Sequence, residues 1–141
     1  MWYWRRFCVA LSILLAGCGE DDNRKMVFPV QGRLTFNGQP MKKALISFHP
    51  LEDSDPEPLR PTAEADQDGK YRLTAYITND GAPAGKYAVT IYWPAPVKNP
   101  ADENSDSWPA DLLRGAYSNQ ATSRLRATVQ ERENVIDFSL P

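Results

Sequence analysis

Tyr87-Ala88-Val89-Thr90-Ile91-Tyr92-Trp93-Pro94 is the stretch whose reading decides the fold. Large apolar side chains recur at 87, 89, 91 and 93, and alternate residues of a strand share a face, so this period of two describes a half-buried strand. An amphipathic helix would repeat its apolar residues three and four apart. Pro94 has no N–H to give a sheet ladder and closes the strand. Tyr92 is out of phase with the apolar set and belongs to the opposite face.

The same alternation recurs on either side. Val30-x-Gly32-x-Leu34-x-Phe36 runs into the turn signal Asn37-Gly38. Ala44-x-Ile46-x-Phe48 stops at Pro50, Tyr71-x-Leu73-x-Ala75 follows, and a weaker strand covers Pro61 to Ala65. Leu125-x-Ala127-x-Val129 and Ile136-x-Phe138-x-Leu140 flank Glu131 to Asn134 and read as a hairpin. Six or seven short strands with punctuation between them predict an all-β sandwich. Twelve prolines and eight glycines suit that plan and break most helices. The one helical candidate is Pro109 to Ala116, with proline at its start and Gly115 near its end.

The N-terminus has another character. Arg5 and Arg6 follow a few aromatic residues, and Phe7 to Leu15 is apolar except for Ser12. That run is far short of the roughly 20 residues a spanning helix needs, and it fits the h-region of a signal peptide. It ends in Leu15-Ala16-Gly17-Cys18, which resembles the lipobox of bacterial lipoprotein precursors. The resemblance implies cleavage before Cys18 and a lipid on its thiol; an ordinary signal peptide or an uncleaved anchor is the alternative. The expected organisation is a leader over residues 1–17, a lipidated Cys18 with a polar tether over 18–26, and one domain over 27–141. Cys8 would leave with the leader, so the domain has no thiol for a disulfide, zinc cluster or nucleophile. Loss of Arg5 and Arg6 lowers the net charge from -2 to -4, counting side chains. That balance offers no basic face for nucleic acid.

Several strings then line up in order. They are Val30-x-Gly32 with Asn37-Gly38-x-Pro40, Ala44-x-Ile46-x-Phe48, and Ala65-Asp66-x-Asp68-Gly69-x-Tyr71-x-Leu73. Asp80-Gly81-Ala82-Pro83-Ala84-Gly85-Lys86-Tyr87, Tyr117 with Ser123-x-Leu125, and Asn134-x-x-Asp137-Phe138-x-Leu140 complete the set. Together they resemble the carboxypeptidase regulatory-like, transthyretin-like domain found in many small bacterial lipoproteins. The resemblance covers about residues 27–141 and implies a seven-stranded Greek-key sandwich and no reaction. The long connection from Pro94 to Ala121, which contains Trp108, departs from the family pattern.

Candidate chemistry is sparse. His49 is the only histidine, ends a strand before Pro50, and has no partner at ligand or catalytic spacing. Asp66-x-Asp68-Gly69 resembles half of a calcium loop, but Gly69 comes one position early and Leu73 and Ala75 fill later ligand positions. A hairpin turn is the plainer reading, with Asp66 and Asp68 as weak metal candidates. The acidic stretches Asp53/Asp55/Glu57 and Asp102/Glu103/Asp106 read as solvated loops rather than paired catalytic carboxylates. Four aromatics, Tyr92, Trp93, Trp108 and Tyr117, gather around the long connection. Trp93 and Tyr117 read as closing the core, and Tyr92 and Trp108 as exposed rings able to meet a partner.

The sequence therefore predicts a non-enzymatic, exported lipoprotein without cofactors apart from the lipid on Cys18. It would be anchored in the cell envelope, at the outer membrane or periplasmic face rather than in the cytoplasm, and act as an accessory or protein-interaction module. A carbohydrate-binding module using the loop aromatics and a calcium-stabilised structural domain are the alternatives.

Overall fold

A computed structural model describes residues 23–98 and 107–141. Leader residues 1–17, Cys18 and loop residues Asn99, Asp102, Glu103 and Asp106 lie outside the described residues. Those described form an all-β, sandwich-like structure with no helix. Its strands are β1 (Val27–Phe28), β2 (Val30–Phe36), β3 (Gln39–Pro40), β4 (Leu45–Pro50), β5 (Thr62–Glu64) and β6 (Lys70–Arg72). They continue with β7 (Ala82–Pro83), β8 (Gly85–Tyr92), β9 (Arg126–Val129), β10 (Asn134–Val135) and β11 (Phe138–Leu140).

One sheet is centred on β2, with β3 and β6 antiparallel to it and β10 and β11 parallel to it. The other has the order β5-β4-β8-β9, all antiparallel. A two-stranded β1–β7 pair sits beside them. The sheets are stitched at one side by Thr62 and Thr74, whose backbone N–H groups reach each other's carbonyls at 3.0 and 2.8 Å.

The alternation does its work from both sides. Leu34 of β2, Ile46 and Phe48 of β4, and Val89 and Ile91 of β8 are fully buried in one core with Met41 and Leu73. Phe48 packs on Tyr87 at 5.5 Å and meets Phe138 nearly edge-on at 6.4 Å. Burying side chains of this size contributes about 1.5–3 kcal/mol each.

Three local expectations are corrected. Pro109 to Ala116 is a run of turns, not a helix. Asp111 draws several N–H groups onto its side chain, and Arg114 and Gly115 take φ of 54° and 76°, outside helical geometry. The two C-terminal runs are not a hairpin either: β9 pairs with β8 and β11 with β2, so they belong to different sheets. Buried Asn134 turns the corner between them, accepting from Gln130 N–H at 2.9 Å and donating to the Gln130 and Arg132 carbonyls. Lastly, the strand expected over Tyr71 to Ala75 is cut to Lys70–Arg72: Leu73 N–H reaches the Val30 carbonyl and Thr74 crosses to Thr62, and from Ala75 to Ile77 Asp80 gathers the N–H groups into a loop.

Gly32 has a tertiary reason. Pairing along β2 skips between β10 and β11, where the Ile136 carbonyl crosses Gly32 and accepts Tyr71 Oη at 2.6 Å. A Cβ on Gly32 would lie 1.8 Å from that carbonyl oxygen. Asp137 fills the gap in the ladder with its carboxylate, which accepts the Arg33 N–H at 2.7 Å.

Candidate functional site

The strands give the domain two unlike ends. Val27 pairs with Pro83, so β8 begins beside the segment that leads back toward Cys18. Eight residues of strand, about 26 Å, then carry it to Tyr92 at the far end. Phe36, the last residue of β2, reaches the same far end and packs on Trp93 at 5.8 Å.

The four aromatics separate there. Trp93 and Tyr117 pack partly buried against the core. Trp93 donates its indole N–H to the Lys42 carbonyl at 3.1 Å, and the Tyr117 carbonyl accepts the Ile91 N–H at 2.9 Å. Tyr92 and Trp108 form a separate edge-to-face pair with centroids 6.0 Å apart. Tyr92 is half-buried and its hydroxyl donates to the Pro109 carbonyl, while Trp108 is 78% exposed. Asp111 ties this segment down: its carboxylate accepts the N–H groups of Trp93, Leu113 and Gly115, and its backbone bridges to Pro94.

Beneath Trp108 lies a recess of about 300 Å³ lined by Leu45, Ser47, Thr90, Ile91, Tyr92 and Ser118. Ser47 and Thr90 are register partners on β4 and β8, on the face of the sheet away from the core. His49 sits next along that face, with Nε2 2.9 Å from Thr90 Oγ1. Its Nδ1 is buried without a hydrogen-bond partner. Burial, and then the charge of Arg60, hold the imidazole below its ordinary pKa. His49 is thus a neutral ring that fixes the Thr90 hydroxyl.

A larger open groove of about 720 Å³ lies on the outer face of the β2 sheet. Arg33, Lys70 and Arg72 line it together with Glu64, Asp66 and Asp137, so charges of both signs share it. Asp66 is committed to its own turn, accepting the Asp68 and Lys70 N–H groups at 2.8 and 2.9 Å. The turn is closed by Asp66 N–H on the Lys70 carbonyl and Thr62 and Thr74 bridge across its arms, while the flanking strands make their ladders outward, β5 with β4 and β6 with β2. Among the described residues, no three His, Cys, Asp or Glu side chains come together as a metal-ligand set. Asp53 pairs with Lys25, which lowers its pKa together with the Asp55 N–H, at the tether end of the domain.

Reading the sequence singled out the aromatics but missed Ser47, Thr90, Ser118 and Asp111. Ser47 and Thr90 carry a faint signal, since both occupy the outward phase of their strands as Tyr92 does. That they stand opposite one another is a property of strand register alone. Compared with known proteins, the chain matches no family model, no curated protein and no solved structure.

Proposed function

We propose that this protein is a lipid-anchored lipoprotein of the cell envelope that works as a non-enzymatic accessory module, binding its partner through the Tyr92–Trp108 surface. One observation carries the reading: the segment leading from Cys18 enters one end of the domain and the exposed Trp108 stands at the other. A tether from Cys18 to Met26 reaches at most about 30 Å, so a lipid there keeps the entry end within that distance of the bilayer and leaves the aromatic end free to face outward. An exposed tryptophan braced by a tyrosine is the kind of anchor that dominates contact energies.

The finer fold assignment belongs to the same proposal. With the two-residue β1, β3 and β7 set aside and β10 and β11 counted as one interrupted strand, seven strands remain. That number supports the transthyretin-like Greek key implied by the sequence strings.

The test is crosslinking in living cells with a C-terminal tag, wild type beside Cys18→Ala and Trp108→Ala. The proposal expects acylated wild type in the membrane fraction, release of Cys18→Ala, and a defined envelope partner lost from Trp108→Ala. Unacylated wild type, or a partner retained undiminished by Trp108→Ala, overturns it.

A further inference from the structure

We infer that the recess beneath Trp108 is a subsite for one neutral sugar ring of a glycan; this rests on the Tyr92–Trp108 surface being the contact face. A pyranose has an apolar C–H face and a rim of hydroxyls, and a site for it must offer an aromatic ring and neutral hydrogen-bonding groups together. The recess has both. The Trp108 indole, 78% exposed and touched at its side by Tyr92, supplies the ring. The hydroxyls of Ser47, Thr90 and Ser118 supply the polar contacts, and Leu45 adds apolar wall.

Charge and size narrow the ligand further. Among the described residues lining the recess none is charged, in a chain of which 24% is Asp, Glu, Lys or Arg. A phosphorylated or carboxylated ligand would find no countercharge there, and an uncharged polyol needs none. The volume of about 300 Å³ lies at the lower limit of small-molecule sites, enough for one ring and too little for a fully enclosed chain. The Thr90 hydroxyl is held in advance by His49 at 2.9 Å, so its orientation is set before a ligand arrives. The Ser118 hydroxyl lies 3.2 Å from the Gly115 carbonyl and is likewise held.

Saturation-transfer NMR on the full-length lipidated protein, in a detergent without a sugar headgroup, tests this. Glucose, N-acetylglucosamine and its short oligomers serve as probes, with glucose 6-phosphate as the charged comparison. A site of this size should bind a single ring with a dissociation constant on the order of 1 mM. Transfer from a neutral sugar, weakened at least about tenfold in Trp108→Ala and about fivefold in Ser47→Ala, is the expected result. Thermal unfolding confirms that each variant is folded, and Ser47→Ala keeps the test open if Trp108→Ala is not. Absence of transfer from every neutral probe, or transfer unchanged in both variants, overturns the inference. If a protein partner still crosslinks through Trp108 in that case, the contact-face reading stands without the sugar; loss of both removes both.

Discussion

Asp111 Oδ1 accepts the backbone N–H of Trp93 at 3.0 Å, joining the turn-rich segment after Trp108 to the end of the longest strand. The same oxygen takes the Leu113 N–H at 3.0 Å, and Oδ2 takes the Gly115 N–H at 2.9 Å. One side chain thus satisfies two N–H groups of its own turn, Leu113 and Gly115, and one at the end of β8, Trp93. Asp111→Ala should cost about 2–3 kcal/mol in urea denaturation, because it strands partly buried donors as well as removing the bonds. Asp111→Asn retains an acceptor for Trp93 and Leu113 and should cost about 1 kcal/mol.

Two glycines in the same strand-and-turn unit should respond very differently to alanine. In Gly32→Ala the new methyl falls 1.8 Å from the Ile136 oxygen, so backbone must move and stability should drop by about 3 kcal/mol or more. Gly38 has φ of 77° with open space around it, so Gly38→Ala meets only left-handed backbone strain, about 1–2 kcal/mol. Similar losses in the two variants by denaturant titration would contradict the carbonyl crossing at Gly32.

Adjacent aromatics should separate stability from binding. Trp93→Ala removes a ring packed on Phe36 and the core, and breaks the bond to the Lys42 carbonyl, for an expected loss of about 3 kcal/mol. Trp108→Ala removes a ring that is 78% exposed and should change stability by less than about 1 kcal/mol while weakening partner binding. A large fall in melting temperature for Trp108→Ala would make it a core residue.

Stability should also track the protonation of His49. Its folded pKa lies below the ordinary 6.5, because of burial and then Arg60. As pH falls through that range the unfolded chain takes up a proton that the folded one refuses, so stability declines with acidification. The urea midpoint should be lower at about pH 5 than at about pH 7.5, and His49→Gln should narrow the gap. Equal differences in wild type and variant would assign the effect elsewhere.

The alkaline limb runs the other way. Burial raises Tyr87 to about 12, with nearby Asp53 and Tyr76 adding to it, and its hydroxyl donates to the Pro83 carbonyl at 2.6 Å. Tyr71 is raised by burial and by Asp137. The folded state keeps protons that the unfolded chain gives up above about pH 10, so stability should fall as pH climbs from there. Ultraviolet titration should show two phenols ionising only with unfolding. Free titration of all tyrosines in the folded protein would refute this burial.

Alternation by itself determined most strands of this protein, because a strand with one face in the core must repeat with period two wherever it pairs. Tyr87, Val89 and Ile91 announce β8, and Val30, Leu34 and Phe36 announce β2, before any partner is known. Proline and glycine punctuation likewise marked where they end. Which strands pair was decided only by tertiary structure: β9 and β11 look alike in sequence, yet a buried Asn134 sends them to opposite sheets. The failed helix at Pro109 has the same origin, since its Leu113 and Gly115 N–H groups bond to the Asp111 carboxylate and its Leu112 N–H to the distant Trp93 carbonyl. Aromatic residues showed in the sequence where an exposed surface could be built, but the recess under Trp108 did not, because Ser47 and Thr90 lie far apart along the chain and become neighbours only through the register of β4 on β8.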